Sequence, residues 1–233
     1  MFLRRRLPAT ITGALMFMLP LAAAVLAPAQ AQILLYSQRL PEGTVYMRFA
    51  SALPAPATVG TDFAGQITLG DTGANRISPY FVAGNAGGKS VALQVASGGA
   101  TATATIQPKS GTFITVVLHP KAGGVVGSIV TDKPEYNQLK ARLTFYNATE
   151  DCSSASLTDG TRPIFSGMAA DSVQARSVSP VAATVTAVCG TEKAKPLELG
   201  KLDEGGLYSV WLMRLGGQLA PFLARDTIAP PRS

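Results

Sequence analysis

Residues 202–226, LDEGGLYSVWLMRLGGQLAPFLARD, constrain the fold more than any other stretch. Asp203-Glu204-Gly205-Gly206 reads as a turn, and a strand of bulky and β-branched residues follows it. Gly216-Gly217 then reads as a second turn that opens another strand. Apolar runs separated by glycine turns are the signature of a β-hairpin. The stretch holds the only tryptophan, Trp211. An earlier stretch echoes its first half: Lys109-Ser110-Gly111 precedes Thr112–Leu118, TFITVVL. A charged turn ending in Gly and opening an apolar strand, used twice, implies a chain built from two similar β units.

Composition supports this reading. Ala, Gly, Val and Thr are abundant, and 23 Gly with 16 Pro among 233 residues favour short strands and many turns over long helices. Met1–Ala31 has the three parts of a secretory signal. Arg4–Arg6 form a positive segment, Ile11–Leu26 an apolar run, and Ala29-Gln30-Ala31 a small-x-small cleavage site. The chain is therefore expected in the periplasm of a Gram-negative bacterium after cleavage behind Ala31. Without Arg4, Arg5 and Arg6 the chain carries 17 basic residues against 14 acidic ones, a net charge of +3. No stretch interleaves basic residues with aromatics, so no nucleic-acid footprint is present. Cys152 and Cys189 are the only cysteines of an exported chain, for which one disulfide is the default. A metal pair and a reactive thiol are the alternatives. Closing that loop stabilises the domain by about 3–4 kcal/mol in the chain-entropy treatment.

Along the chain, Thr44–Ala50 alternates as a half-buried strand, with Val45, Met47 and Phe49 on one face. Ala52–Gly60 is rich in Pro and Ala and reads as a loop. Strands are expected over Phe63–Leu69, Ile77–Val82, Val91–Val95, Ala100–Ile106 and Thr112–Leu118. The second unit repeats the order. Leu139–Thr149 parallels Gly43–Leu53, with Leu143 and Phe145 matching Met47 and Phe49, and further on Ala148 matches Ala52. Strands follow over Pro163–Met168, Val173–Val178 and Val181–Cys189, and the hairpin at 202–226 closes the unit. This order supports a tandem duplication. The fold class is all-β: two small antiparallel β-sandwiches, immunoglobulin-like or like a carbohydrate-binding module. The expected division is a signal peptide at 1–31, a first sandwich at 32–122, a linker at 123–138, a second sandwich at 139–227 and a flexible tail at 228–233.

Candidate chemistry is sparse, and no cofactor or metal site is expected. Ala83–Ser90, AGNAGGKS, fits a relaxed phosphate-loop pattern. A phosphate loop opens a helix, whereas VALQVAS follows here with β-type alternation, so the segment reads as a hairpin loop. His119 is the only histidine and reads as a surface residue at a strand end. A Ser-His-Asp or SGNH-type acyl transfer would need it beside a nucleophile. Gly70-Asp71-Thr72 lacks the serine of an SGNH block, and Val116–His119 lacks the aspartate. Paired carboxylates could serve glycoside cleavage, but Asp71, Asp159, Asp203 and Glu204 fall in turns and suit turn geometry. Aromatic side chains on a sandwich can stack on sugar rings. Tyr36, Tyr80, Tyr146 and Trp211, with Arg48, are the candidate binding residues; core placement is the competing reading for each aromatic, and the favoured one for Trp211.

Leu35-Tyr36, Pro41-x-Gly43, Val45–Phe49, Ala141–Ala148 and above all Gly216-Gly217-Gln218-Leu219-Ala220-Pro221 resemble the periplasmic alginate biosynthesis protein AlgF family, in order from Leu35 to Asp226. The Cys152/Cys189 pair and the longer loops at Pro54–Gly60 and Gly84–Gly99 depart from that pattern. The resemblance implies two β-sandwiches and a non-catalytic role in O-acetylation of an exopolysaccharide, alginate or a similar polymer such as cellulose. Implied partners are a membrane-bound O-acyltransferase and a periplasmic SGNH-type acetyltransferase, with an acidic polysaccharide as a further one. Two other readings stand beside it. One is a periplasmic pilus chaperone, also two sandwiches, with Arg48 and Lys121 imagined in its cleft. The other is an acyl-transfer enzyme using His119.

Overall fold

The computed structural model describes residues 41–133 and 138–230. The expected signal peptide and Tyr36 lie outside the described residues. Among the described residues, no helix is long and apolar enough to cross a membrane.

The fold is all-β, in two sandwiches. The first contains β1 (Val45–Ser51), β2 (Ala57–Thr61), β3 (Gly65–Leu69), β4 (Phe81–Ala83), β5 (Val91–Ser97), β6 (Ala100–Ile106), β7 (Phe113–Lys121) and β8 (Gly124–Asp132). The second contains β9 (Ala141–Asn147), β10 (Ala155–Asp159), β11 (Arg162–Met168), β12 (Ser172–Val178), β13 (Ala183–Cys189), β14 (Glu192–Lys193), β15 (Leu197–Gly200), β16 (Leu207–Leu215) and β17 (Gln218–Arg225). In the first, a sheet of order β4-β1-β7-β8 covers one of order β3-β2-β5-β6. In the second, β12-β9-β16-β17 covers β11-β10-β13-β14, with β15 also on β13. The sheets are not all antiparallel as expected, because β1 runs parallel to β7 and β9 parallel to β16.

The two repeats share more than strand order. Tyr46 N–H donates to Thr112 O and Arg142 N–H to Gly206 O; Ala52 N–H donates to Leu118 O and Ala148 N–H to Leu212 O. The turn glycines match as well, Gly111 N–H reaching Thr44 O and Gly205 N–H reaching Lys140 O. Gly216 and Gly217, at φ 57° and 80°, form the two-residue turn between Leu215 and Gln218. Both positions lie in the left-handed region, which glycine enters without a Cβ clash and which the strand twist of a tight hairpin requires.

Three hydrophobic cores result. One fills the first sandwich around Met47, Phe49 and Val116. A second fills the other around Leu143, Phe145 and Val210. The third lies between the sandwiches, where Ala50, Val117, Tyr146, Trp211 and Phe222 meet. β1, expected to be half-buried, is therefore covered on both faces, and Tyr46 alone of its seven residues is not fully buried. The disulfide forms between Cys152 and Cys189, with Cα atoms 5.7 Å apart, and ties the β9–β10 connection to the end of β13.

Several expectations fail for identifiable reasons. The linker expected at 123–138 instead contains β8, paired along its length with β7. Its glycines suggested a loop, but a Cβ at Gly127 would lie 3.2 Å from Val116 Cγ1, so this glycine serves close packing. The expected loop at Ala52–Gly60 contains β2, whose prolines all precede it. The strand expected at Ile77–Val82 is interrupted: a 3-10 turn at Gly73–Arg76 leads into it, Ile77 makes an isolated antiparallel bridge to Ala50, and regular pairing with β1 is confined to Phe81–Ala83. The tail expected from 228 is held at its start: Tyr80 N–H donates to Thr227 O and Ala229 N–H to Tyr80 O, both at 2.8 Å. AGNAGGKS connects β4 to β5 and so crosses between sheets instead of closing a hairpin. The amides at its glycine pair are occupied, Gly87 N–H by Gly43 O and Gly88 N–H by Pro108 O, so they do not form a phosphate cradle.

Candidate functional site

Alternation along β1, β7, β9 and β16 sends odd and even residues to different cores. The set that leaves the first and second cores meets between the sandwiches, and it is polar at its centre. Arg48 on β1 is 1% exposed there. Its Nε donates to Thr115 Oγ1 at 2.8 Å, Nη1 to Asp226 Oδ1 at 2.6 Å and Nη2 to Tyr146 Oη at 2.7 Å. Asp132 accepts from Tyr146 Oη at 2.5 Å, Thr115 Oγ1 at 2.8 Å and Tyr80 Oη at 2.9 Å. Asp226 accepts from Ser209 Oγ at 2.6 Å, and Ser209 accepts from Trp211 Nε1 at 2.8 Å. Tyr146 and Trp211 stack with centroids 3.9 Å apart, and Arg48 lies over the rings of Tyr80, Tyr146 and Trp211.

One buried cation is thus shared by two carboxylates, directly with Asp226 and through Tyr146 and Thr115 with Asp132. Burial alone would lower the basicity of Arg48. The tyrosines and the two aspartates around it reverse that effect and hold the guanidinium charged. Burial raises the pKa of Asp132, and Arg48 with the three hydroxyl donors offsets this only in part. Tyr80 and Tyr146 are pushed up, again chiefly by burial, and stay neutral donors.

The arrangement follows the repeat. Thr115 and Ser209 occupy equivalent positions on β7 and β16, and each binds an aspartate 17 residues later. Arg48 breaks the equivalence: Thr144 occupies its place on β9. Beside Arg48 the first repeat has Tyr80, whose ring the guanidinium covers at 4.4 Å, and opposite Thr144 the second has Ala175. The first repeat thus has two large side chains where the second has two small ones, and a cleft of about 840 Å³ opens beside the network. Tyr80, Phe113, Asp132, Thr144, Tyr146, Ala175 and Asp226 line it, with Lys133, Arg142 and Arg225 also on its surface. By size and mixed lining it is a ligand-sized cavity.

Of the candidate binding residues, the structure brings Arg48, Tyr80, Tyr146 and Trp211 together, at the sandwich interface and not on the surface. Each is at most 8% exposed. Trp211 is fully buried, so its ring presents no face to a sugar. Sequence reasoning missed Asp132, Asp226, Thr115, Ser209 and Thr144. The hydroxyl residue followed at 17 by aspartate, present in both repeats, was the available signal.

His119 is a second correction. It is 3% exposed, on β7 at the far end of the interface, not on the surface. Its Nε2 lies 2.9 Å from Asp171 Oδ1 and 3.3 Å from Ser128 Oγ, and its Nδ1 is 4.0 Å from Glu150 Oε2. Burial opposes the Asp171 carboxylate, but the hydrogen bond and charge of His119 and the Ser128 hydroxyl outweigh it and lower the pKa. An ionised carboxylate only accepts, so Nε2 carries the proton donated to Asp171. That nitrogen then has no lone pair to take a proton from Ser128. The three residues form a bridge between sandwiches, with Asp171 and Ser128 on one nitrogen, not the relay of a hydrolase. Lys121 is exposed at the end of β7, and Arg48 is buried in the network, so the pair imagined for a chaperone cleft does not assemble.

No family model matches the chain, and no curated protein does. Among solved structures, the C-terminal domain of AlgF from P. aeruginosa is similar at 24% identity and a TM-score of 0.33, covering 37% of this chain and 98% of that one. A candidate cell adhesion protein from Bacteroides ovatus is similar at 8% identity and a TM-score of 0.25, covering 83% of this chain and 100% of that one.

Proposed function

We propose that this protein is a non-catalytic periplasmic adaptor in the O-acetylation of an exopolysaccharide, linking a membrane-bound O-acyltransferase to periplasmic acetyltransferases. The observation that carries the reading is where the charged side chains go. Arg48 and Asp132 from the first sandwich meet Tyr146 and Asp226 from the second, and His119 meets Asp171. The polar chemistry of the chain is used to hold two domains in one fixed relation, which is what a scaffold for two partners requires. The ordered resemblance from Leu35 to Asp226 supplies the system in which such a scaffold acts.

The test is acetyl content. A strain lacking the gene is expected to export polymer without O-acetyl groups, measured by proton NMR of the purified polysaccharide, and the wild-type gene restores them. His119→Ala is expected to restore them too, provided the variant folds. A deletion strain that acetylates its polymer fully overturns the adaptor reading. A folded His119→Ala protein that still assembles with its partners but supports no acetylation favours acyl transfer instead.

A further inference from the structure

We propose that the cleft and the open edge of β12 together take an extended segment of a partner protein, which adds to the inner sheet of the second sandwich as a further strand. The inference deepens the adaptor reading and rests on it for the existence of a partner.

The first argument is the polarity of the edge. Arg142 and Ala148 direct their N–H groups to β16, at Gly206 O and Leu212 O. Backbone groups alternate along a strand, so residues 142, 144, 146 and 148 of this segment bond to β16, and Leu143, Phe145 and Asn147 bond to β12. The hydrogen-bonded partners of those three are Arg176, Gln174 and Ser172. Val173, Ala175 and Ser177 therefore turn their N–H and C=O groups outward, where β12 ends its sheet. A row of unpaired donors and acceptors is a template for another strand.

The second argument is that the usual protection is missing. β17, the opposite edge, carries Pro221. β4 is three residues long, and β11 is irregular in register and contains Pro163. β12 is seven residues long, with no Pro, Gly or bulge. Its one charge, Arg176, donates to Ile164 O at 3.1 Å, away from the cleft.

The third argument is the cleft itself. Val173 and Ala175, whose backbone faces outward, also line it. A strand laid on this edge would point alternate side chains into the hollow left by the small residues Thr144 and Ala175. Thr144 is 7% exposed and lines this hollow with a hydroxyl that can accept or donate a hydrogen bond. A peptide fits better than a polysaccharide because each cleft aromatic already has one face occupied, which leaves no open aromatic platform of two free faces for a sugar chain. Tyr146 stacks on Trp211, Phe113 on Tyr46, and Arg48 covers Tyr80. Lys133 and Arg225 on the cleft surface favour acidic residues flanking the inserted apolar ones; Arg225 also pairs with Asp203 at 2.9 Å.

The probe is a phage-displayed library of random dodecapeptides panned against the purified mature protein. Enriched peptides are measured by titration calorimetry and by amide exchange of the complex. The expected result is selection of alternating apolar residues with acidic flanks, with slowed exchange at Val173, Ala175 and Ser177. Ala175→Pro removes an outward N–H without touching the ladder to β9 and should weaken binding about tenfold or more. If that variant melts early, Ala175→Leu fills the cleft with the backbone intact and should weaken binding likewise. Failure to enrich any peptide overturns the inference, as do enriched peptides that bind both folded variants unchanged. Slowed exchange at the same amides by uronate or glucan oligosaccharides, with no peptide effect, also overturns it. None of these outcomes bears on whether the deletion strain acetylates its polymer.

Discussion

Replacing Arg48 with methionine tests the network most directly. The side chain is 1% exposed and methionine, though shorter, keeps an unbranched apolar stem that can repack into the space, so the change is chiefly a loss of charge and donors. Asp226 loses its 2.6 Å ion pair, and Asp132 loses the cation it reaches through Tyr146. Breaking a buried pair from one side costs about 3–5 kcal/mol, because the remaining charge stays uncompensated. For a domain of this size each kcal/mol lowers Tm by about 2–4 °C, so a drop of about 6–20 °C is expected. Urea unfolding followed by Trp211 fluorescence measures the free energy, and calorimetry the Tm. The deficit should shrink at acid pH, where Asp132, whose pKa burial raises, takes up a proton. Combining Arg48→Met with Asp226→Asn should recover much of the loss, since the second change removes the charge that the first one strands. A loss under about 1 kcal/mol, the range of a surface pair, refutes the reasoning. So does a double variant whose loss is the sum of the singles.

Three further predictions follow from single contacts. The pKa of Asp171 is lowered, so its contribution is complete above the unfolded carboxylate value of about 3.9 and fades as pH falls through the lower native value; Asp171→Asn should flatten that acid limb in urea titrations run at several pH values. Replacing both Cys152 and Cys189 with Ser opens a loop with a separation of 37 residues and should remove about 4 kcal/mol in the chain-entropy treatment, read from the urea midpoint under oxidising conditions. Gly206→Ala sets a Cβ 2.4 Å from Tyr208 Cε2 and 3.0 Å from Asp203 O, so overpacking should cost about 1–3 kcal/mol, read from the same unfolding curve.

The duplication was legible in the sequence because it is written in strands and turns, where the spacing of Gly111 and Gly205 and the match of Met47 and Phe49 with Leu143 and Phe145 fix a register. β2 and β8 were not legible, because Pro and Gly serve both as loop residues and as close-packing residues, and only the neighbour decides. Val116 decides it at Gly127. The site was illegible for a different reason. Its residues belong to the face of each inner sheet that looks like a solvent face by alternation, so Tyr146 reads as a surface candidate, Trp211 as core without a sign of which core, and His119 as exposed. Only the packing of one repeat on the other buries that face, and no local pattern announces it. What the sequence does carry is the departure from symmetry. A repeat that kept Arg48 and Tyr80 on both sides would place two cations and two phenols in one interface, with like charges side by side and little room between them. Thr144 and Ala175 relieve that conflict, and the space they leave is the cleft. The same two substitutions that make the interface closable therefore also open a ligand-sized cleft beside the shared network, on the side of the second repeat next to β12.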